Sequence, residues 1–253
     1  MYPDSIQAQH YQVYFNDEGF DFLNRFVAEQ RPSKIFLLAD KHTNECCTPI
    51  VLSVLATDIS LEIIEIEAGE THKHIDTCTQ VWYALSELGA DRKSLLINIG
   101  GGVVTDLGGF VASTYMRGIP FINIPTSLLA MVDASVGGKT GVDLGALKNL
   151  VGVINNPQGV VIYPDFLATL PTEELRSGMA EMFKHGLISD EAYWHKMCNL
   201  SELTEAHLGS LIYESVIIKN KVVTQDPTEK GLRKTLNYGH TLGHAIESYC
   251  LQN

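Results

Sequence analysis

Paired cysteine motifs are missing from this sequence. Its five cysteines (Cys46, Cys47, Cys78, Cys198 and Cys250) are odd in number and show no C-x-x-C spacing. That argues against both a disulfide framework and a cysteine-built zinc site, and leaves reduced structural thiols as the expectation. Long hydrophobic runs are also missing, and the start, Met1-Tyr2-Pro3-Asp4, has neither a basic n-region nor an apolar h-region. A cytoplasmic protein with no membrane partner is expected. Positive charge is scarce, with 18 Lys and Arg against 30 Asp and Glu and a formal charge of -12. A general nucleic-acid binder would need a basic footprint, so none is expected. In so acidic a chain, a local convergence of Lys and Arg has to be held for a reason, and a small anionic ligand is a good one. No internal repeat or low-complexity tract stands out.

What remains is an ordinary globular composition, 45% apolar and 19% charged over 253 residues, with ample chain for a core. Two textures follow one another. Up to about residue 170, apolar β-rich runs (Ser33 to Leu38, Leu61 to Ile66, Leu95 to Ile99, Phe121 to Ile124, Val160 to Tyr163) alternate with helical stretches such as Ile75 to Leu88 and Val103 to Tyr115. Strands alternating with helices imply a parallel sheet of Rossmann type. After Leu170-Pro171 the strand runs stop, and Thr172 to Leu187, Glu191 to Met197, Glu205 to Val223 and His240 to Cys250 carry helical periodicity, with Thr172 expected as an N-cap. The expected fold class is therefore α/β plus α, with an α/β domain over 1–170 and a helical domain over 171–253.

Chemistry-bearing groups cluster in both halves. The run Leu95 to Ile99 leads straight into Gly100-Gly101-Gly102 and then a helix, a turn whose N–H groups could approach a phosphate. The strict G-x-G-x-x-G fingerprint is not met, because Thr105 stands at the third glycine; an empty tight turn is an equally good reading. Gly137-Gly138-Lys139-Thr140 superficially matches a P-loop, but Asp133 occupies the first glycine position, which argues against an NTPase. His240 and His244 share a helix face, as do Glu181 and Lys184, with His185 next. Carboxylate and imidazole donors suit Zn²⁺, and an ordinary ion pair is the plainer alternative. Lys139, Lys148, Asn149, Lys219, Arg233 and Asn237 are scattered donors. If they converge, they describe a site for a phosphate and a carboxylate, with Arg supplying a bidentate fork.

Longer stretches carry a family pattern. Gly100 to Phe110, Pro125 to Thr140, Lys148-Asn149, Ala180 to Gly186 and Leu236 to Glu247 resemble the dehydroquinate synthases, over most of the chain from about residue 30. The resemblance implies an N-terminal Rossmann-like NAD-binding domain, a helical metal domain and an active site between them. It assigns Gly101 and Gly102 to the NAD pyrophosphate, Asp40, Glu70 and Lys73 to the adenosine side, and Asp106, Thr126 and Ser127 to the rest of the cofactor cleft, with Lys139 and Lys148 reaching it too. Glu181 and His240 match two zinc ligands, for Zn²⁺ or alternatively Co²⁺. Lys139, Lys184, Lys219, Arg233, Asn237 and His244 match substrate-handling catalytic positions, with Lys148 and Asn149 also on the substrate and Asp133 near the reacting hydroxyls. Arg117 matches a residue that reaches the neighbouring subunit in family dimers, so a homodimer is implied.

The implied reaction is cyclisation of a seven-carbon sugar-acid phosphate with loss of phosphate, NAD being reduced and reoxidised within one turnover. Pairing Arg233 with Lys219 favours a substrate bearing a carboxylate. Another sugar-phosphate cyclase, a metal-dependent polyol dehydrogenase and a non-catalytic remnant stay open as alternatives. The family's third zinc ligand is a histidine in a later His-Gly-Glu segment, and no histidine follows His244. An incomplete chain is the expectation.

Overall fold

A computed structural model describes residues 2–199 and 205–252. Its centre is a seven-stranded sheet in the order β1-β2-β9-β6-β5-β3-β4. The central strands are β3 (Ile35–Asp40), β5 (Leu95–Gly100) and β6 (Phe121–Pro125), with β4 (Leu61–Ile66) at one edge and β9 (Gly159–Ile162), β2 (Gln12–Phe15) and β1 (Ser5–Gln7) toward the other. All pairs are parallel except β1 with β2, so the expected parallel sheet carries one antiparallel edge.

Both faces of β3 are covered, which is why it reads as a continuous apolar run rather than an alternating one. Ile35 and Leu37 join one core cluster, and Phe36 and Leu38 join the other. The first cluster takes in Phe20 and Leu23 of α1 (Asn16–Gln30) and Val51 of α3 (Thr48–Val54). The second takes in Cys78 and Val81 of α4 (Ile75–Glu87) and Leu107 and Val111 of α5 (Gly102–Thr114). From β3 the chain runs outward to β4, then returns to the far side of β3 to make β5. The segments after β3 and β5 therefore leave on opposite faces. That is a topological switch point, where a crevice opens at the carboxyl ends of the strands.

Gly108 sets how closely α5 sits on this sheet. A Cβ there would lie 2.1 Å from Asn98 Oδ1 and 2.9 Å from a Leu38 methyl, so any side chain would push helix and sheet apart.

A hairpin of β7 (Lys139–Leu144) and β8 (Leu147–Ile154) stands apart as a second, two-stranded sheet. After residue 170 the described elements are helical: α6 (Thr172–Ser189), α7 (Glu191–Cys198), α8 (Glu205–Gln225) and α9 (His240–Gln252), with a 3-10 turn over Leu232–Asn237 before α9. They do not pack as an isolated bundle. Met182, Tyr193, Ile212 and Val216 share the first core cluster with Val13 and Phe15 of the sheet. The expected N-cap is one residue off. Pro171 holds that position with φ -56°, Thr172 is already helical, and no side chain caps the end. Glu173 and Glu174 in the first turn supply the favourable dipole interaction instead. Among the described residues, no helix is long and apolar enough to cross a membrane.

Candidate functional site

The crevice predicted for a dinucleotide forms at the ends of β3, β5 and β6. Asp40 ends β3 and caps α2 (Lys41–Cys46), its Oδ1 accepting the Thr43 N–H at 2.9 Å. Across the switch point, Gly101 and Gly102 make the turn into α5. Thr126 follows β6 and donates its N–H to the Gly100 carbonyl at 3.0 Å, binding the two loops edge to edge. Ser127 is buried beside them, its Oγ accepting the Ala130 N–H at 3.3 Å.

Beyond this turn lies a cleft of about 510 Å³ between the α/β half, the hairpin and the helices. Lys139, Lys148 and Asn149 reach it from the hairpin, and Asp106 from α5. Asp133 enters from a π-turn over Ala130–Ala134. Lys219 reaches in from α8, while Arg233, Asn237 and His240 come from the segment after it. Residues scattered over more than a hundred positions are thus brought to one site, its polar groups set among apolar ones such as Val136, Leu150 and Leu236. Glu70 and Lys73 line a neighbouring cavity of about 600 Å³, and Lys148 borders both.

Each of these lysines is held by a carboxylate. Lys139 Nζ lies 2.6 Å from Glu229 Oε2, whose other oxygen accepts from Asn237 Nδ2 at 2.8 Å. Lys148 lies 2.8 Å from Glu70 and 3.4 Å from Asp143. Lys73 Nζ donates to Asp106 at 2.6 Å and to Asn149 Oδ1 at 2.7 Å. Burial alone would lower the Lys73 pKa, but Asp106 and Glu70 outweigh it and hold it above the usual lysine value. Lys219 donates to both the carbonyl and the carboxylate of Asp133. Burial pushes the Asp133 carboxyl up, yet Lys219 and Lys184 overcome that and keep it well below the ordinary range. Arg233 is 2% exposed and donates to Gly137 O at 2.9 Å and Pro227 O at 2.8 Å. Gly137 permits this, with φ 108° and a Cβ position only 2.7 Å from the guanidinium.

Behind the cleft, Glu181 of α6 lies 2.7 Å from Lys184 Nζ and 3.2 Å from His185 Nε2. Lys184 also donates to the Leu236 carbonyl. Asp133, Glu181 and His185 offer one donor atom each, all within 4.8 Å of one another. Among the described residues, Glu181 Oε1 and His185 Nε2 are buried without an aligned hydrogen-bond partner. Two carboxylates and an imidazole, with the buried His185 Nε2 lacking an aligned partner and Glu181 Oε1 held only by the ion pair to Lys184, fit a divalent ion of the Zn²⁺ or Co²⁺ type. His240 lines the cleft but lies outside this group of three. The His244 side chain lies outside the described residues. Arg117 is exposed in the left-handed region, φ 70°, just past the far end of α5, and lines neither cavity.

Sequence reading missed several groups that hold the site. Glu229 and Asp143 carry no motif and become visible only through the lysines they face. Ser215 donates or accepts at His185 Nδ1, 2.7 Å away. The Tyr11 hydroxyl accepts the Gly137 N–H at 2.9 Å, from 126 residues away. Only His185 had a local signal, its four-residue spacing from Glu181.

A fold of this kind, an α/β half followed by helices, recurs in solved structures. A 2-deoxy-scyllo-inosose synthase solved with carbaglucose-6-phosphate, NAD⁺ and Co²⁺ matches with a TM-score of 0.84 and 24% identity, over 96% of this chain and 70% of that one. A 2-epi-5-epi-valiolone synthase from Streptomyces hygroscopicus, with NAD⁺ and Zn²⁺ bound, matches with a TM-score of 0.79 and 26% identity, over 99% and 71%. The family models for the N-terminal and C-terminal parts of 3-dehydroquinate synthase match residues 63–177 and 178–253. A 3-dehydroquinate synthase of Parabacteroides distasonis is 47% identical over 89% of this chain and 64% of its own length. One of Prochlorococcus marinus is 42% identical over 94% and 67%. This chain belongs to the 3-dehydroquinate synthase family. It spans somewhat less than two thirds of the length of the first of these relatives.

Proposed function

We propose that this chain is the NAD- and substrate-binding part of a 3-dehydroquinate synthase, converting 3-deoxy-D-arabino-heptulosonate 7-phosphate to 3-dehydroquinate and phosphate. The observation that carries the reading is the convergence of Lys139, Lys148, Lys219 and Arg233 on one cleft in a chain of net charge -12. A substrate with a phosphate at one end and a carboxylate at the other needs that many cations, and neutral polar donors such as Asn149 and Asn237 for its hydroxyls.

In this reading Asp40, Gly101, Gly102, Thr126 and Ser127 seat the dinucleotide, with Asp106, Glu70 and Lys73 along its flank. Glu181 and His240 are the family-matched metal ligands, with Asp133 and His185 beside Glu181. NAD supplies a hydride acceptor, and a divalent ion supplies Lewis-acid polarisation of an alcohol oxygen. The chain's own work is positioning. Lysines and Arg233 fix both ends of the substrate, so that its reacting carbons meet the nicotinamide without further search. Asp133, kept ionised by Lys219, accepts a hydrogen bond from a substrate hydroxyl in this reading, supported by its position in the cleft lining. The family-matched Arg117, exposed and lining neither cavity of its own chain, fits a homodimer in which it serves the partner.

The test is to incubate the protein with the heptulosonate phosphate, NAD⁺ and Zn²⁺, following inorganic phosphate together with NADH absorbance. Phosphate release without net NADH is expected. Accumulating NADH would instead mark a polyol dehydrogenase, and silence a non-catalytic binding module.

A further inference from the structure

His185 is fully buried, 0% exposed, and lies in the cluster of candidate metal donors without being one of the family-matched ligands. It follows Glu181 by one helical turn on α6, so the two side chains share a face. Its Nδ1 lies 2.7 Å from the Ser215 hydroxyl on α8. Its Nε2 lies 3.2 Å from Glu181 Oε1. With one ring nitrogen engaged by Ser215, the imidazole cannot flip without losing that bond, and the other nitrogen stays directed at the carboxylate. Among the described residues neither Nε2 nor Oε1 completes an aligned hydrogen bond. At 3.2 Å the pair is within hydrogen-bonding distance and lacks only alignment.

We propose that His185 is a positioning residue for Glu181, and that a Ser215–His185–Glu181 chain across two helices fixes the direction in which the carboxylate meets a divalent cation. The inference rests on the metal-dependent reading above and deepens it. Lys184 also lies 2.7 Å from Oε1 and is tied to the Leu236 carbonyl, but its ammonium is a compact point charge that sets no plane for the carboxylate. A planar ring engaged at its far nitrogen does. Groups that orient a metal-binding side chain in this way change metal affinity by about 10–100-fold when removed.

Cobalt(II) titration of the full chain tests this, with visible absorption reporting the donor set and a chelator competition reporting affinity. His185→Leu should weaken cobalt about 10–100-fold with the absorption bands unmoved. His185→Gln, whose amide can reach the Nε2 position, should recover part of the loss, and Ser215→Ala should show a smaller loss. NAD affinity should be unchanged throughout. Should His185→Leu fail to fold, the other two variants carry the comparison. Wild-type cobalt affinity in folded His185 variants overturns the proposal. Shifted bands overturn it too, because His185 would then be a ligand, as does an equal loss of NAD affinity, which would mean general packing. If the unsubstituted chain takes up no cobalt, the metal-dependent reading falls and the positioning role falls with it.

Discussion

The ammonium of Lys73 lies 2.6 Å from the carboxylate of Asp106 and ties the segment before α4 to the second turn of α5. Lys73 also reaches Asn149, so one side chain pins α5 to the hairpin that carries Lys139 and Lys148. The pair is largely withdrawn from water, with side-chain exposures of 5% and 17%.

Lys73→Met therefore leaves Asp106 with little compensation. Removing one member of a buried pair costs about 3–5 kcal/mol, and the lower end fits here because Asp106 keeps some exposure. Urea unfolding should show this loss, and adding Asp106→Asn should return much of it. A double variant no more stable than Lys73→Met would show that the pair is not coupled.

Arg233 is tied to Gly137 and Pro227 as well as facing the cleft. Arg233→Ala should weaken a carboxylate-bearing substrate analogue far more than NAD, as read by calorimetric titration. A stability loss of about 1–3 kcal/mol should accompany it, since buried carbonyls lose their donor. Equal losses of substrate and cofactor affinity would count against its assignment to the substrate.

Acid should expose the Asp133–Lys219 contact. The folded Asp133 carboxyl is held below its unfolded value of about 4, because Lys219 and Lys184 outweigh the effect of burial. Its contribution to stability is then fully present above that value and is lost as pH falls below it toward the folded value. Stability measured down through the acid range should fall more steeply in the unsubstituted chain than in Asp133→Asn. Parallel curves would show that Lys219 does not hold the carboxylate.

Gly108→Ala places a methyl on Asn98 Oδ1 and Leu38. Overpacking of this kind costs about 1–3 kcal/mol, and a thermal melt should report it. Gly243→Ala makes a control, because nothing lies within 4 Å of a Cβ there. If both variants melt alike, the close approach of α5 to the sheet is not a constraint.

Much of the fold could be read from the chain. β3, β5 and β6 are legible because burial on both faces demands nearly continuous apolar runs, as in Ile35 to Ala39, interrupted in β5 and β6 by Asn98 and Asn123, which hydrogen-bond each other. The glycine turn and the family stretches marked the crevice. Short strands such as β1 and β2, three and four residues long, give too few residues for a period to register. The β7–β8 hairpin hid for another reason: its burial does not alternate cleanly, and β8 is mostly exposed.

Local order was thus written in the sequence, because helix and strand periods are set by residues a few places apart. The cleft's donors, too, were named by type. What only the tertiary structure decided is which group each donor faces. Lys139 meets Glu229 from 90 residues away, and Arg233 meets Gly137 from 96. No spacing encodes such pairs. They exist because the helices pack on the same core face as the sheet and carry residues far apart in the chain to one cleft, where the buried ammoniums of Lys73 and Lys219 meet carboxylates and the buried Arg233 meets carbonyls.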